Sequence, residues 1–213
     1  MRLAQLCDKH IEETAYIFAT GASLDRFNMS TINGPRICLN RTIGIVPIKE
    51  NETYWLVCDD AWGKGVPGLW DKWFHDMVFG NGAIGVFQDP LFGAKRTKVK
   101  VPIAENIAPF HIRWDEDPDD LLDWSREVIA LNALLYSFSG TAAIAAHLAW
   151  LMGCTDVVLV GCDGDGTTAK CLSQWYDDKP VTANHKMSRQ KLYHVIERLG
   201  LNWSTGDMTD GKI

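Results

Sequence analysis

The sequence lacks the features that mark several common classes of protein. Its six cysteines include no CxxC pair, which argues against a zinc ribbon. Its longest apolar-rich stretch, residues 142–152, contains His147 and is far shorter than the roughly 20 residues that cross a bilayer. It has no excess of basic residues, because the formal net charge is −6. We therefore expect neither a membrane span nor tight binding to nucleic acid.

Signals for export and for a Walker-type phosphate loop are missing as well. The first 15 residues contain no apolar core of the kind found in signal peptides. The pattern GxxxxGK[ST] does not occur. A chain of 213 residues also needs no disulfide framework to bury a sufficient core. We expect a cytoplasmic protein with reduced cysteines.

The sequence does contain short apolar runs, each followed by a polar turn. They occupy residues 15–19, 36–39, 54–58 and 156–160. Runs that are apolar at nearly every position are typical of parallel strands covered on both faces. Helices are predicted at 140–152, with Ser139 as candidate N-cap, and at 188–199, ended by Gly200. The pattern predicts an α/β fold: a single domain over residues 1–213 with a mostly parallel, doubly wound, Rossmann-like sheet.

The stretch 61–112 differs in character from the rest of the chain. It is rich in glycine and tryptophan and includes a lysine-rich segment at 95–100. The alternation of lysine and valine in that segment fits an exposed edge strand as well as a phosphate-binding patch. The tryptophans fit the packing of a lid and also stacking on a sugar or a base. We interpret the stretch as a variable insertion into the domain.

Polar residues and glycines stand where the predicted strands end and where the alanine-rich helix begins. In an open parallel sheet, ligands bind beyond the carboxyl ends of the strands, and a helix N-terminus there attracts an anion. Each residue alone is also a common turn former, so the prediction rests on the joint pattern. It is a nucleotide-binding pocket made by Thr20, Gly21, Ser23, Asn40, Asp59, Ser139, Gly140 and Asp163.

Two further patterns suggest chemistry. Asp163 and Asp165 form a DxD pattern of the kind with which many nucleotide-sugar glycosyltransferases hold Mg²⁺ or Mn²⁺, although so short a pattern also arises by chance. His185 stands in a polar segment just before the helix predicted at 188–199, where a histidine is suited to act as a general base. His147, within the apolar helix, is interpreted as a core residue.

Residues 15–40 and 139–163 resemble segments of the bacterial lipooligosaccharide sialyltransferases and of the related pterin diphosphokinase-like (MptE-like) proteins. In the first segment a strand is followed by a G-x-S-L turn, and the next strand ends in Asn. In the second, a Ser-Gly pair opens an alanine-rich helix that leads to a strand ending in G-x-D. His185, ahead of an amphipathic helix, is similar to the position of the sialyltransferase base.

The resemblance implies a single nucleotide-sugar-binding domain, a variant of the GT-A fold. It assigns the nucleotide to the strand-end and helix-start residues named above, and deprotonation of the acceptor hydroxyl to His185. The chain departs from the sialyltransferases at Thr20, where they have Asn, and at Tyr136, where they have Arg. Their two leaving-group tyrosines have no counterpart here. With Asp165, these departures favour a metal-assisted diphosphate donor such as a UDP-sugar over CMP-sialic acid.

The predicted function is transfer of a sugar from a nucleotide-sugar donor to an acceptor hydroxyl. The acceptor is a glycan or, less in keeping with the acidic charge, a modified nucleic-acid base. Two alternatives share the same pocket. One is an MptE-like diphosphokinase that transfers diphosphate from ATP to a pterin. The other is a nucleotide-binding protein without catalysis.

Overall fold

The computed structural model describes residues 1–58, 72–88, 106–113, 124–136, 140–164, 167–172 and 184–206. Within these residues, eight strands form one sheet in which every neighbouring pair is parallel. The strands, β1 to β8, are Thr14–Phe18, Arg36–Leu39, Thr53–Val57, Ile84–Gln88, Ile107–Arg113, Leu134–Tyr136, Asp156–Val160 and Asn202–Thr205. Their order across the sheet is β6-β5-β4-β3-β2-β1-β7-β8. The predicted parallel α/β sheet is thereby confirmed.

Four α-helices accompany the strands in the part of the chain that the structure describes: α1 to α4 are Lys72–Gly80, Arg126–Leu131, Thr141–Leu151 and Asn184–Arg198. Helix α3 is two residues shorter than predicted, since Gly140 takes the N-cap position and Met152 the C-cap. Helix α4 begins four residues earlier than predicted. Gly200 follows α4 with a left-handed φ of +66°, as expected of a glycine that ends a helix.

The sheet is covered on both faces, which explains its nearly continuous apolar strands. One face packs against α2, α3, α4 and the N-terminal 3-10 helix Leu3–Leu6. The other face packs against α1 and against 3-10 helices at Ala22–Arg26, Asn40–Gly44 and Lys170–Leu172. Helix α3 is buried along nearly its whole length, because its alanines let it lie close to the central strands.

The predicted insertion at 61–112 contributes to the sheet. Strand β4 and most of β5 lie within that stretch and extend the sheet beyond β3. The lysine-rich segment at 95–100 lies outside the described residues. Among the helices described, none has the length and hydropathy needed to cross a membrane.

The strand order indicates where in the sheet a ligand-binding crevice is expected. From β1 the chain builds the sheet outward through β2 to β6, and then returns to the other side of β1 for β7 and β8. The order therefore reverses between β1 and β7. In open α/β sheets, ligands bind at such a reversal, beyond the carboxyl ends of the strands. We call that side of the sheet the carboxyl edge.

Candidate functional site

A cleft of about 280 Å³ opens at the carboxyl edge, beside the reversal between β1 and β7. Residues from four places in the chain line it: the turn after β1, the end of β7, helix α4 and strand β8. They are Ala22, Arg26, Leu159, Cys162, Asp163, Arg189, Tyr193 and Thr205. The position matches the site that topology alone favours for a ligand.

Ser23 and Asp163 join the two turns that flank the cleft. The backbone N–H of Ser23 donates to Asp163 Oδ2 at 2.7 Å, and its hydroxyl donates to Oδ1 at 2.5 Å. The N–H of Gly161 donates in turn to Ser23 Oγ at 2.9 Å. Ser23 is buried, so its hydroxyl is committed to this network. It positions the carboxylate of Asp163 at the cleft wall, which is a different role from the predicted contact with a nucleotide.

Gly21 is glycine because nothing larger fits against Asp163. A Cβ at this position would lie 2.6 Å from both Asp163 Oδ2 and the carbonyl oxygen of Gly161. The N–H of Gly21 donates to that same carbonyl at 2.7 Å. The small residue in the turn after β1 therefore allows the two turns to approach closely.

A second set of contacts fastens residues 167–172 to the same turn. The carbonyl of Thr20 accepts from the N–H of Ala169 at 2.8 Å. The carboxylate of Asp25 accepts from the N–H groups of Lys170 and Cys171, at 2.6 and 3.0 Å. Slight burial raises the pKa of Asp25, but the N–H donors of Cys171 and Lys170 outweigh it and hold that pKa below its ordinary value. Asp25 therefore stays ionised and holds the segment beside the cleft.

Two arginines give the cleft a cationic character that sequence reasoning missed. Arg26 is the last residue of the 3-10 helix Ala22–Arg26 in the turn after β1, and Arg189 lies in α4. Nη1 of Arg189 donates to the carbonyl oxygen of Asp163 at 2.8 Å, and Nε donates to the hydroxyl of Tyr193 at 2.8 Å. Its guanidinium carbon lies 5.4 Å from the centre of the Tyr193 ring. These contacts orient one guanidinium at the cleft, where arginine is well suited to bind phosphate.

The N-termini of α3 and α4 meet at the same edge. Each helix connects two parallel strands, so each begins at the carboxyl edge. They approach at Gly140, where an added Cβ would lie 3.3 Å from Cβ of Ser188. The positive ends of both helix dipoles add to the attraction for an anion. The small size of Gly140 permits the approach to Ser188, which precedes Arg189 in α4.

Asn40 lies at the carboxyl edge but two strands from β7. It adopts a left-handed φ of +52°, a conformation that Asn tolerates better than most residues. Its carbonyl accepts from Nε1 of Trp55 at 2.6 Å, and the 3-10 helix Asn40–Gly44 starts here. Asn40, Thr20 and Asp163 therefore share one edge, as the parallel pattern predicts.

Four predicted site residues remain: Asp59, Ser139, Asp165 and His185. Asp59, Ser139 and Asp165 lie outside the described residues, so the predicted DxD pair is not seen as a pair. His185 was expected on a loop, but its backbone is in the first turn of α4. Among the described residues, no group of three or more His, Cys, Asp or Glu side chains is arranged to hold a metal ion.

Cys162 is the only thiol among the cleft residues described, and it is not activated. Burial, and next the negative charge of Asp163, raise its pKa to about 12. The reactive form of cysteine is the thiolate, which is scarce at neutral pH when the pKa is that high. The cleft therefore has no cysteine nucleophile among these residues.

A glycine pattern outside the cleft also has a structural explanation. Residues 80–85 read GxGxxG, the spacing of dinucleotide-binding loops. Such loops follow a strand and open a helix. Here the first glycine, Gly80, ends helix α1 and the last, Gly85, lies in strand β4, which is the reverse order. This segment is a turn, in which Gly82 has a φ of +81°.

Comparison with known proteins finds similarity to a solved structure and no match to a family model or curated sequence. Among solved structures, the crystal structure of the sialyltransferase CST-II in complex with trisaccharide acceptor and CMP matches with a TM-score of 0.49 and 11% sequence identity. The match covers 93% of this chain and 83% of that one. At that identity, function has to be argued from the residues of this chain.

Proposed function

We propose that the protein is a glycosyltransferase that moves a sugar from a nucleotide donor to an acceptor hydroxyl. The observation that carries the proposal is the pair Arg26 and Arg189 in a cleft at the reversal of strand order. A cationic cleft at this place in an α/β sheet is suited to the phosphates of a nucleotide.

The arginines address the main barrier of such a transfer. As the bond from sugar to phosphate breaks, negative charge develops on the leaving phosphate oxygens. Donors that are already oriented stabilise that charge without reorganisation in the transition state. Arg189 is oriented by the Asp163 carbonyl and by Tyr193, and the N-termini of α3 and α4 add partial positive charge.

His185 is proposed as the general base that takes the proton of the acceptor hydroxyl. Its position in α4 is four residues before Arg189, and positions four apart share one face of a helix. The base would then lie one helical turn from the group that binds the leaving phosphate. An attacking hydroxyl has to come between the two, close to the sugar carbon it joins.

The nucleoside is proposed to lie over β1, β2 and β3. Thr20, Asn40 and Asp59 follow these three strands in turn. Ser139 and Gly140 precede α3 and would bind the nucleotide through the start of that helix. The ribose and base would thus extend from the arginines toward the centre of the sheet.

Mg²⁺ or Mn²⁺ bound by Asp163 and Asp165 stays a prediction, and the described contacts fit it poorly. Both carboxylate oxygens of Asp163 already accept from Ser23, and two guanidinium groups line the same cleft. Nearby cations disfavour a divalent ion by like-charge repulsion. The arginines are therefore proposed to balance the charge of the phosphates.

The test is turnover of nucleotide sugars by the purified protein. A panel of UDP- and CMP-sugars is incubated with and without oligosaccharide acceptors, and the released nucleotide is measured by chromatography. Arg189→Gln is expected to lower donor turnover by at least about tenfold, since a hydrogen bond to a charged group contributes roughly 1.5–3 kcal/mol. Arg198→Gln is the matched control, because Arg198 lies at the far end of the same helix.

Three outcomes contradict the proposal. Equal loss in both variants shows a general effect of charge. Cleavage of ATP that depends on a pterin identifies the diphosphokinase alternative. Tight nucleotide binding with no turnover of any donor identifies the non-catalytic alternative.

A further inference from the structure

An aromatic pair stands at the outer end of the cleft. Trp203, on the edge strand β8, keeps 44% of its surface exposed. Its ring stacks on that of Tyr193, with centroids 4.6 Å apart and planes inclined by 27°. An indole that is held by stacking yet half exposed presents a large, rigid apolar surface to an incoming molecule.

The pair is continuous with the cleft. Tyr193 lines the cleft itself and is held by Arg189, whose Nε donates to its hydroxyl. Trp203 and Thr205 are two residues apart on β8, so they project from the same face of the sheet. Thr205 also lines the cleft, and so Trp203 borders the cleft through Thr205 on its own strand and through Tyr193, on which it stacks.

The position of the pair relative to the arginines indicates what it binds. The residues proposed for the nucleoside lie over β1, β2 and β3, on one side of the reversal. Trp203 belongs to β8 and Tyr193 stacks on it, so the pair lies on the other side of the reversal. A donor whose phosphates contact Arg26 and Arg189, with its nucleoside toward β2, leaves the β8 side to the second substrate.

We propose that Tyr193 and Trp203 form a stacking subsite for a sugar ring of the acceptor, an inference that rests on the proposed transferase function. One face of a pyranose ring carries mainly C–H groups and packs well on an aromatic surface. The hydroxyl groups at the ring's edge need hydrogen-bond partners, and Thr205 offers a hydroxyl that both donates and accepts. The acceptor is accordingly a glycan whose terminal ring has an apolar face.

The experiment measures glycan binding and nucleotide binding separately. Wild type and variants are applied to an array of immobilised mono- to tetrasaccharides, and binding of CMP and UDP is followed by calorimetry. Trp203→Leu is expected to weaken glycan binding roughly tenfold, and Trp203→Phe, which keeps a ring, by much less. Nucleotide affinity is expected to stay within about twofold. Leu131→Ala is the control, because Leu131 is 78% exposed and remote from the cleft residues.

Each possible result either supports or overturns the stacking subsite. Absence of binding to every sugar on the array overturns the subsite, as does unchanged binding by Trp203→Leu. An equal loss of CMP or UDP binding also overturns it, by showing that the pair stacks on a nucleobase. Glycan binding that depends on Trp203, without turnover of any nucleotide sugar, upholds the subsite and refutes the transferase proposal. If Trp203→Leu does not fold, as judged by circular dichroism, Trp203→Gln provides the same comparison.

Discussion

Removing the hydroxyl of Ser23 is expected to destabilise the protein and to displace Asp163. In Ser23→Ala, Asp163 Oδ1 loses its 2.5 Å hydrogen bond, while the backbone bond to Oδ2 is retained. A hydrogen bond to a charged group contributes about 1.5–3 kcal/mol. The N–H of Gly161, which is buried, also loses its acceptor, at a cost of about 1–3 kcal/mol.

These two losses do not add in full. Asp163 is partly exposed, so water can replace the donor that it loses. We therefore expect the free energy of unfolding to fall by about 2–4 kcal/mol, mostly through the unsatisfied N–H of Gly161. Urea denaturation of wild type and Ser23→Ala measures this difference. Ser30→Ala is the control, since Ser30 makes a similar side-chain bond, to Asn28, on the exposed surface.

The same variant tests whether the network serves the cleft. If Ser23 positions Asp163, nucleotide affinity falls in Ser23→Ala even under conditions where the protein is fully folded. A loss of stability below about 0.5 kcal/mol would refute the reasoning, because it would mean that neither bond matters in the folded state. A large loss of stability with unchanged nucleotide affinity would leave Ser23 a purely structural residue.

The remaining predictions concern His185, His147 and the dependence of turnover on a metal ion. His185→Ala is expected to lower kcat roughly 10²–10⁴-fold with little change in donor binding, and steady-state kinetics with near-normal kcat would contradict its role as base. Burial lowers the pKa of His147 from its ordinary 6.5 to about 4. Since the unfolded chain then binds a proton that the folded protein does not, stability should fall by up to about 3 kcal/mol as the pH drops from 6.5 to 4, and His147→Gln should flatten that part of the urea-denaturation profile. Turnover should persist in EDTA if the arginines carry the phosphate charge, whereas its loss in EDTA and in Asp165→Asn would establish the metal site.

The strands that sequence reasoning located are those at the centre of the sheet. β1, β2, β3 and β7 are buried on both faces, and their apolar runs match the observed strands to within a residue. Two of the missed strands, β5 and β8, have weaker patterns. β5 contains Pro109, tolerated because β6 pairs only from His111 onward. β8 is a polar edge strand with little apolar surface to bury.

The candidate site was predictable to a similar extent. Gly21, Ser23 and Asp163 follow strands, and the rule that parallel strands end at one edge brings them together. The rule does not say which strands are neighbours. That β7 returns beside β1 depends on pairing between residues more than 130 apart in the chain. Without it, Arg26 and Arg189 are two ordinary surface arginines, and nothing in their local sequence distinguishes them.

The attachment of residues 167–172 depends on main-chain N–H groups and on the buried side chains of Ala169 and Leu172. Three main-chain N–H groups, those of Ala169, Lys170 and Cys171, make the bonds, and the acceptors are all in the turn after β1. The Cys171 thiol also hydrogen-bonds to Asp25, whereas the exposed side chain of Lys170 can be replaced without removing any of these bonds. Proline is the exception, because it has no N–H to donate. Position 170 can thus be varied in a library while Asp25 keeps the segment attached to the turn after β1, so the surface beside the cleft can change at little cost in stability.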